Sequence, residues 1–179
     1  VYSADSAGML NLYRVEIATR AVVRLTQANT DDGAASWAPD GARIVFQRED
    51  STGQRDLWEI DADGGNARNL TSTPRFKEQH PRYSTDGRLI IFDANLDEPR
   101  PDQSDVRQNY EIYTLDRRSG AIARLTEHDG WDMYPAFSPD GRHIVWRKSI
   151  VAQPPNFRNA EIFTRDLQTG QERNLSNHA

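Results

Sequence analysis

The sequence predicts an all-β protein built from repeated four-stranded antiparallel units, and three observations carry this prediction. A short turn motif occurs three times, an apolar–aromatic run occurs four times, and no segment keeps a helical hydrophobic period. Short runs rich in aromatic and β-branched residues favour strands. The turn motifs recur at intervals of 46 and 54 residues. Four strands at this period predict a β-propeller in which each repeat forms one blade.

Each repeat opens with a pair of strands, a and b, joined by a tight turn. The turn motifs are the segments 37–41 (WAPDG), 83–87 (YSTDG) and 137–141 (FSPDG). Proline presets φ, aspartate bonds back to the backbone, and glycine accepts the left-handed conformation that closes a hairpin. In the second repeat, strand a is predicted at 35–37 and strand b at 44–47.

Strands c and d follow within each repeat. The c-strand runs carry an acidic residue three positions after their aromatic residue, and the d-strand runs end in Leu-Thr or Leu-Ser. The c-strands are predicted at 12–16, 57–61, 112–116 and 162–166, and the d-strands at 24–26, 69–71, 124–126 and 174–176. Gly64-Gly65, Gly120 and Gly170 supply the turns between them.

The repeat phase divides one domain, residues 1–179, into four blades. The predicted blades are 1–33, 34–79, 80–133 and 134–179. The first lacks strand a, so fifteen strands are expected. The first and last edges are then free to associate, which predicts a segment of a larger propeller. A closed four-blade ring that lacks one strand is the alternative.

Composition and charge exclude several classes of protein. The 179 residues contain 22 Lys and Arg against 27 Asp and Glu, a formal net charge of −5. This acidic balance argues against a nucleic-acid partner. No stretch approaches the roughly 20 apolar residues that span a bilayer, so no membrane insertion is expected. Cysteine is absent, which excludes disulfides and thiol catalysis. The chain begins at Val1 without a visible signal peptide, which predicts a processed or partial chain.

The turn and strand runs resemble the repeat of the TolB-type propeller family. Thr85 replaces the turn proline in the third repeat, and Ala38 replaces the serine in the second. The resemblance implies a propeller scaffold, but a fold does not specify an activity. Similar proteins include the periplasmic TolB protein, which binds Pal and other envelope partners, the gating propellers of prolyl-oligopeptidase-like peptidases, and oligogalacturonate lyases with metal-binding histidines.

Loop length varies on only one predicted face of the propeller. The d–a and b–c loops share this face, whereas the regular turns lie on the other. Variable loops on a regular scaffold usually carry binding. The variable segments are 27–34, 72–80, 95–109, 127–134 and 149–159.

One acidic residue recurs in phase within these loops. Asp32, Glu78 and Asp132 each stand two residues before the first residue of a predicted blade, just ahead of strand a. Because strand a lines the central channel, the three carboxylates would ring the channel mouth and attract a cation, an amine or a basic segment. The alternative is that each carboxylate caps its own turn by accepting backbone N–H groups.

Histidines and one tryptophan are the other candidates on this face. His80 and His128, with Gln79 and the acids, fit a metal site only weakly, since such a site needs three or four convergent ligands. Ordinary rim histidines are the alternative, and we expect no metal and no cofactor. Trp131 either anchors a partner or has a structural role, in which it plugs the channel or packs on the next blade.

The motifs that are present and absent predict the function of the chain. No nucleophile elbow and no phosphate-binding loop is present. The sequence therefore predicts a non-catalytic scaffold that binds a protein or peptide, with a periplasmic or extracytoplasmic location implied by the resemblance. The alternatives are a gating propeller of a hydrolase and, third, a metal-dependent lyase. The predicted binding residues are Asp32, Arg75, Phe76, Glu78, His80, His128, Trp131, Asp132 and Tyr134.

Overall fold

The computed structural model describes residues 1–6, 8–27, 29–74, 76–96, 109–149 and 160–176. These ranges contain fifteen strands in four antiparallel sheets and no helix. The prediction of an all-β propeller segment is therefore confirmed. Within the same ranges, no helix is long and apolar enough to cross a membrane.

The strands of each sheet follow one another in chain order, so every connection is a hairpin between neighbours. Sheet 1 contains β1 (Tyr2–Ser6), β2 (Met9–Val15) and β3 (Val22–Arg24). Sheet 2 contains β4 (Asp31–Trp37), β5 (Arg43–Glu49), β6 (Arg55–Asp61) and β7 (Arg68–Asn69). Sheet 3 contains β8 (Glu78–Tyr83), β9 (Leu89–Ala94), β10 (Glu111–Asp116) and β11 (Ile122–Arg124). Sheet 4 contains β12 (Asp132–Phe137), β13 (His143–Ser149), β14 (Ala160–Asp166) and β15 (Glu172–Asn174).

The inner strands begin earlier than the repeat pattern suggested. β4, β8 and β12 start at Asp31, Glu78 and Asp132, two or three residues before the boundaries predicted at 34, 80 and 134. The ladder to strand b continues on the N-terminal side of a β-bulge in each of these strands. A bulge adds one residue to one strand without ending the pairing, so the apolar run alone marks only the second half of the strand.

The turn between strands a and b closes in the same way in all three complete sheets. Asp40 Oδ1 accepts the N–H of Ala42 at 2.9 Å, and Asp86 Oδ1 accepts that of Arg88 at 3.0 Å. The third turn repeats this bond between Asp140 and Arg142. The glycine after each aspartate has φ near 70°, where a side chain is strained. The turn of sheet 3 therefore closes with Thr85 in place of proline.

The Leu-Thr ending of strand d has a structural reason. In each of the four sheets, the hydroxyl of this Thr or Ser accepts the N–H of the equivalent apolar residue of strand c at 2.9–3.1 Å. These residues are Leu12, Leu57, Ile112 and Ile162. The preceding leucine N–H donates to the carbonyl of that same strand-c residue. The hydroxyl thus extends the pairing of the outer strand by one bond.

The core lies between the sheets, in three clusters that correspond to the three junctions. Leu12 of sheet 1 packs with Ile44 and Phe46 of sheet 2. Leu57 of sheet 2 packs in the cluster of Ile90 and Phe92 of sheet 3, and Ile112 of sheet 3 packs with Ile144 and Trp146 of sheet 4. Every one of these side chains is almost completely buried.

The aromatic residues before the turns are less uniform than expected. Trp37, Tyr83 and Phe137 are predicted as buried equivalents, but only Tyr83 is buried, while the other two are half-buried. Tyr83 also donates its hydroxyl to Glu59 Oε1 at 2.9 Å. Trp37 packs on the cluster against sheet 1, and that sheet has no strand a in the described ranges to cover its inner side. The structure does not explain the exposure of Phe137.

The sheets form an open arc. β4 contacts β8, and β8 contacts β12, so the a-strands lie together on the inner side. Among the described residues, no strand of sheet 1 contacts a strand of sheet 4. The alternative of a closed four-blade ring is therefore wrong for the described part of the chain.

Candidate binding site at the inner-strand bulges

The d–a and b–c loops meet on one face of the arc, as predicted, and we call this the loop face. Gln54, in the b–c loop of sheet 2, donates to the carbonyls of Thr73 at 2.9 Å and Phe76 at 2.5 Å in the following d–a loop. Asn109 likewise donates to the carbonyl of His128 at 2.7 Å. These bonds tie the two kinds of loop together.

A bulge with unusual backbone geometry marks the same position in three inner strands. Ala34, His80 and Tyr134 have φ values of 49°, 54° and 57°. Each lies within the register shift of its strand. A left-handed residue other than glycine costs about 1–2 kcal/mol. Such strain persists where the surrounding structure holds it, and it occurs preferentially at functional sites.

A side chain from the preceding sheet holds each of the last two bulges. His80 donates its backbone N–H to Gln47 Oε1 at 3.1 Å, and Tyr134 donates its backbone N–H to Asp93 Oδ1 at 3.0 Å. Gln47 and Asp93 occupy the same position in strand b, directly after the apolar run. The bulges therefore also join neighbouring sheets.

Asp93 has a second partner, the ring of His80. The two groups lie 2.9 Å apart, between His80 Nδ1 and Asp93 Oδ1. Because a carboxylate only accepts, Nδ1 of His80 is the donor in this bond. Burial raises the pKa of Asp93, while its bonds to His80 and Tyr134 oppose that rise. The buried carboxylate thereby fixes the orientation of the ring.

The outer surface of this cluster is aromatic. The rings of His80 and Tyr134 lie 4.1 Å apart between centroids, and Tyr134 keeps 52% of its surface exposed. His80 is mostly covered by comparison. We call His80, Asp93 and Tyr134 the bulge cluster. It presents a tyrosine that is exposed yet held by its backbone and by a neighbouring ring.

A second aromatic group lies in the d–a loop before β12. Trp131 is half-buried and meets Tyr110 edge-on, with 5.6 Å between the ring centroids. Burial raises the pKa of Tyr110 to about 12. Gly130 lies beside Trp131, and a Cβ there would come within 2.5 Å of the Ser149 carbonyl. The close approach of these two loops therefore requires glycine.

His128 is built into this loop. Its backbone N–H donates to Glu111 Oε1 at 2.6 Å, and its Nδ1 accepts the N–H of Gly130 at 2.9 Å. Burial lowers the pKa of the His128 imidazole, and the nearby charge of Lys148 lowers it further. The Nδ1 atom of His128 therefore already accepts a hydrogen bond from its own loop.

The three recurrent acids are not an open ring. Asp32, Glu78 and Asp132 lie inside the inner strands and are completely buried. Asp32 pairs with Arg48 through two bonds of 2.6 and 2.8 Å, and Glu78 accepts the hydroxyl of Thr73. The expectation of accessible carboxylates at the channel mouth is wrong, because the strands begin earlier and turn these side chains inward. The partners found are also side chains rather than the backbone N–H groups of a cap.

Burial changes the acidity of two of these groups. It raises the pKa of Glu78 to about 8 and that of Asp132 to about 7. The charge of Lys148 and the side chains of Thr126 and Trp146 oppose this rise at Asp132. His128 Nδ1 lies 4.0 Å from Asp132 Oδ1, too far for a hydrogen bond. Burial outweighs these neighbours, so the pKa of Asp132 stays above its ordinary value.

The two remaining predicted residues belong to the loop before β8. Phe76 is half-buried, and its carbonyl is held by Gln54. Arg75 lies outside the described residues. No group of three or more His, Asp or Glu side chains in the described ranges is arranged to hold a metal ion.

Curated relatives match the chain with low identity. A Bacillus subtilis protein named as the uncharacterized peptidase YuxL is 25% identical over 167 residues, covering 79% of this chain and 25% of its own length. The Tol-Pal system protein TolB of Francisella tularensis is 32% identical over 65 residues, 36% of this chain and 13% of its own. No protein-family model matches.

Solved structures match nearly the whole chain. TolB from Acinetobacter baumannii superposes with a TM-score of 0.72 at 21% identity, covering 97% of this chain and 39% of its own. The putative TolB from Agrobacterium tumefaciens gives 0.71 at 18% identity, covering 94% and 57%. The chain has the fold of the TolB-type β-propellers. An oligogalacturonate lyase in complex with manganese also superposes, with a TM-score of 0.68 at 19% identity and coverage of 94% and 42%.

The chain spans a quarter or less of the two curated relatives described and between about two fifths and three fifths of the three solved structures. The names of the similar proteins differ in function. One is named as a peptidase and one as a lyase, and others are TolB proteins. These similarities therefore show the fold. Any activity has to be argued from the residues of the site.

Sequence reasoning does not find two residues that organise the site. Asp93 and Gln47 hold the bulges, although neither lies in a variable loop. A signal was present, because each is the first polar residue after the apolar run of strand b. In the sequence, this position is indistinguishable from an ordinary strand end.

Proposed function

We propose that the chain is a non-catalytic propeller segment that binds a protein or peptide partner through its loop face. The observation that carries this proposal is the bulge cluster. Tyr134 is half exposed, yet its backbone bonds to buried Asp93 and its ring contacts His80. Tyrosine is among the residues that dominate binding energy. An aromatic side chain held before binding loses little conformational entropy in the complex.

The rest of the loop face supports the same proposal. Trp131 is half-buried beside Tyr110 and is connected to the end of β13, since its carbonyl accepts the Ser149 N–H at 2.9 Å. Aromatic anchors on a fixed backbone are typical of interface cores. The proposal does not need an acidic ring, because the three recurrent acids are buried. The partner is therefore expected to contribute apolar or aromatic groups over Tyr134.

An extracytoplasmic location belongs to the proposal. The support is the likeness to TolB proteins in fold and, over 65 residues, in sequence. Fractionation of the native host cells, followed by detection of this chain, tests it. Recovery in the cytoplasmic fraction alone would contradict the location while leaving the binding proposal standing.

A second candidate is a gating propeller of a hydrolase whose catalytic domain lies outside these residues. The match to a protein named as a peptidase, across 79% of the chain, favours it. The complete open reading frame distinguishes the two candidates. A downstream α/β-hydrolase segment with a nucleophile elbow would support the hydrolase.

Site-specific photocrosslinking in the native host tests the binding face. A photoreactive phenylalanine analogue at position 134 should capture one defined partner, whereas the same analogue at Arg142, on the regular turns, should not. Tyr134→Ala should then weaken binding of the purified partner at least about tenfold. Its melting temperature should stay close to that of the unaltered chain, since residue 134 is exposed. Equal capture from position 142, or unchanged affinity of folded Tyr134→Ala, would refute the proposed face.

A further inference from the structure

Arg82 is a charged residue without an acidic partner on the inner side of the arc. It belongs to the inner strand β8 and is exposed. Among the described residues, no carboxylate pairs with its guanidinium. Burial of part of the side chain still lowers the pKa of Arg82, so its charge is partly removed from water. A partly desolvated charge without a counter-ion is unfavourable, and a ligand of opposite charge would stabilise it.

Two backbone carbonyls hold the guanidinium of Arg82 in place. Its Nη1 donates to the Ala34 carbonyl of sheet 2 at 3.2 Å and to the Pro81 carbonyl at 2.9 Å. Within the described ranges, its Nε and Nη2 make no hydrogen bond. Two neighbouring nitrogens of a guanidinium bind a carboxylate through two parallel bonds. The edge of Arg82 that contains Nε and Nη2 is therefore available for such a group and already oriented.

The repeat itself does not require an arginine at this position. The ladders between strands a and b place Ser36 of sheet 2 and Ala136 of sheet 4 at the positions equivalent to Arg82. Both of these sheets form the bulge and close the following turn without a charge there. A structural role common to the repeats therefore does not explain the charge at residue 82.

The buried acids of the neighbouring inner strands do not neutralise this charge. Asp32 is already paired with Arg48. Burial raises the pKa of Glu78 to about 8, so most Glu78 carboxyl groups are protonated at neutral pH. The exposed charge that β8 presents on the inner side is therefore positive, in contrast to the acidic channel mouth expected from the sequence.

The three bulge residues connect Arg82 to the bulge cluster. Ala34, His80 and Tyr134 occupy the same bulge position in β4, β8 and β12. Ala34 carries only a methyl group, and the guanidinium of Arg82 reaches its carbonyl. The ring of His80 lies in the same strand as Arg82, and the exposed ring of Tyr134 packs on it. A positive group and an aromatic group therefore lie along one row of bulges.

We propose that the partner presents a carboxylate to Arg82, beside the apolar or aromatic group that covers Tyr134. This inference rests on the proposed function and adds a negative charge to the chemistry of its partner. The carboxylate accepts from Nε and Nη2 and supplies the counter-ion that the guanidinium lacks. An acidic side chain and a free C-terminus of the partner offer the same chemistry, and the experiment distinguishes these two sources.

Selection of short random peptides on the purified chain tests the proposal. One library displays the peptides without a free C-terminus, and the other displays peptides that end in a free carboxylate. Enriched peptides should carry an acidic residue or the terminal carboxylate beside an aromatic residue. Synthetic copies should bind Arg82→Gln at least about tenfold more weakly than the unaltered chain. Arg118→Gln is the matched control, because Arg118 is an exposed arginine in the turn between β10 and β11, and its affinity should not change.

Changes in the selected peptide identify the source of the carboxylate. Replacing its acidic residue by the corresponding amide tests a side chain, and amidating its C-terminus tests a terminus. The change that removes the bound carboxylate should weaken binding to the unaltered chain but not to Arg82→Gln, because the two groups share one contact. Arg82→Lys keeps the charge and loses the two-bond edge, so its affinity should lie between those of the unaltered chain and Arg82→Gln.

The outcomes separate this proposal from the proposed function. Peptides that require Tyr134 but bind Arg82→Gln with unchanged affinity would overturn the carboxylate contact and leave the binding face standing. Failure to obtain any peptide that depends on Arg82 or Tyr134 would overturn both. The melting temperature of each variant establishes that it is folded. If Arg82→Gln does not fold, Arg82→Lys replaces it, and an unchanged affinity of that variant would equally overturn the contact.

Discussion

Residue 20 is an arginine where the equivalent turns of sheets 3 and 4 carry glycine. Arg20 N–H donates to the Glu16 carbonyl at 2.7 Å, as Gly120 does to Asp116 at 2.8 Å. Both residues lie in the left-handed region, with φ of 60° and 75°. The arginine adopts this conformation at a cost that glycine avoids.

Arg20→Gly should therefore stabilise the chain. The expected gain in the free energy of unfolding is about 0.5–1 kcal/mol, because relief of the strained φ exceeds the added flexibility of the unfolded chain. Urea unfolding measures it. Gly120→Ala is the control and should lose about 1 kcal/mol. A destabilised Arg20→Gly variant would show that the side chain of Arg20 makes a contact that stabilises the turn.

Glu78 should make the stability fall as pH rises. Burial raises its pKa from 4.5 to about 8, so between these values the folded chain holds a proton that the unfolded chain has lost. Raising the pH through this window therefore favours unfolding. The melting temperature at about pH 8 should lie at least about 4 °C below that at about pH 5.5.

Glu78→Gln removes the titrating group and supplies the control for that measurement. Its melting temperature should fall less over the same window. Asp132→Asn should act in the same direction, since burial raises the pKa of Asp132 to about 7. An undiminished pH dependence in both variants would show that other groups cause it.

Hairpins and bulges are the elements that organise this molecule. Each hairpin closes by bonds between residues a few positions apart, and each outer strand is extended by one hydroxyl. The bulges differ, because their strain is held by a side chain from the preceding sheet. The conformation of a bulge therefore depends on a side chain of the neighbouring sheet as well as on the bulge's own residues.

Thr126 and Ser176 make the same pair of bonds at sites of different exposure. The Thr126 hydroxyl is buried, accepts the Ile112 N–H at 2.9 Å and donates to buried Glu111 at 2.6 Å. Thr126→Val should cost about 1–3 kcal/mol in the free energy of unfolding, because both partners lose a bond in a buried site. Ser176 accepts the Ile162 N–H and donates to Glu161, but it is only half-buried. Ser176→Ala should therefore cost less than about 1 kcal/mol, since water can replace the hydroxyl. Equal losses in urea unfolding would contradict this reasoning.

At the scale of the whole molecule, burial at one repeat position depends on which sheet the residue belongs to. Phe92 and Tyr2 are equivalent, but the first is fully buried between sheets 2 and 3, and the second is 42% exposed. The difference arises because sheet 2 packs on Phe92, whereas no described sheet packs on Tyr2.

Phe92→Ala should cost about 3–5 kcal/mol in the free energy of unfolding, through lost burial and the cavity that remains. Tyr2→Ala should cost less than about 1 kcal/mol, because the position of its side chain is already partly hydrated. Thermal or urea unfolding of both variants gives the comparison. Similar losses would show that burial does not set the difference between these two positions.

Particular residues show how far the sequence could predict the site. His80, His128, Trp131 and Tyr134 were recognised because they interrupt a regular repeat in variable loops. Asp93 was not, since its role depends on the position of the next sheet rather than on its own neighbours in the chain. The burial of Asp32 and Glu78 was missed for the same reason, because a bulge extended the inner strands beyond the apolar pattern.

The repeat, the strand order and the turns follow from the amino-acid sequence, because they depend on residues within a few positions of one another. Asp40 bonds to the N–H two residues later whatever lies beyond the hairpin. Only the tertiary structure decided which side chains are buried and which remain available. Ile112 and Ile162 are the same residue at the same repeat position, yet one is buried and the other exposed. Burial depends on the neighbouring sheet, and local sequence does not specify that neighbour.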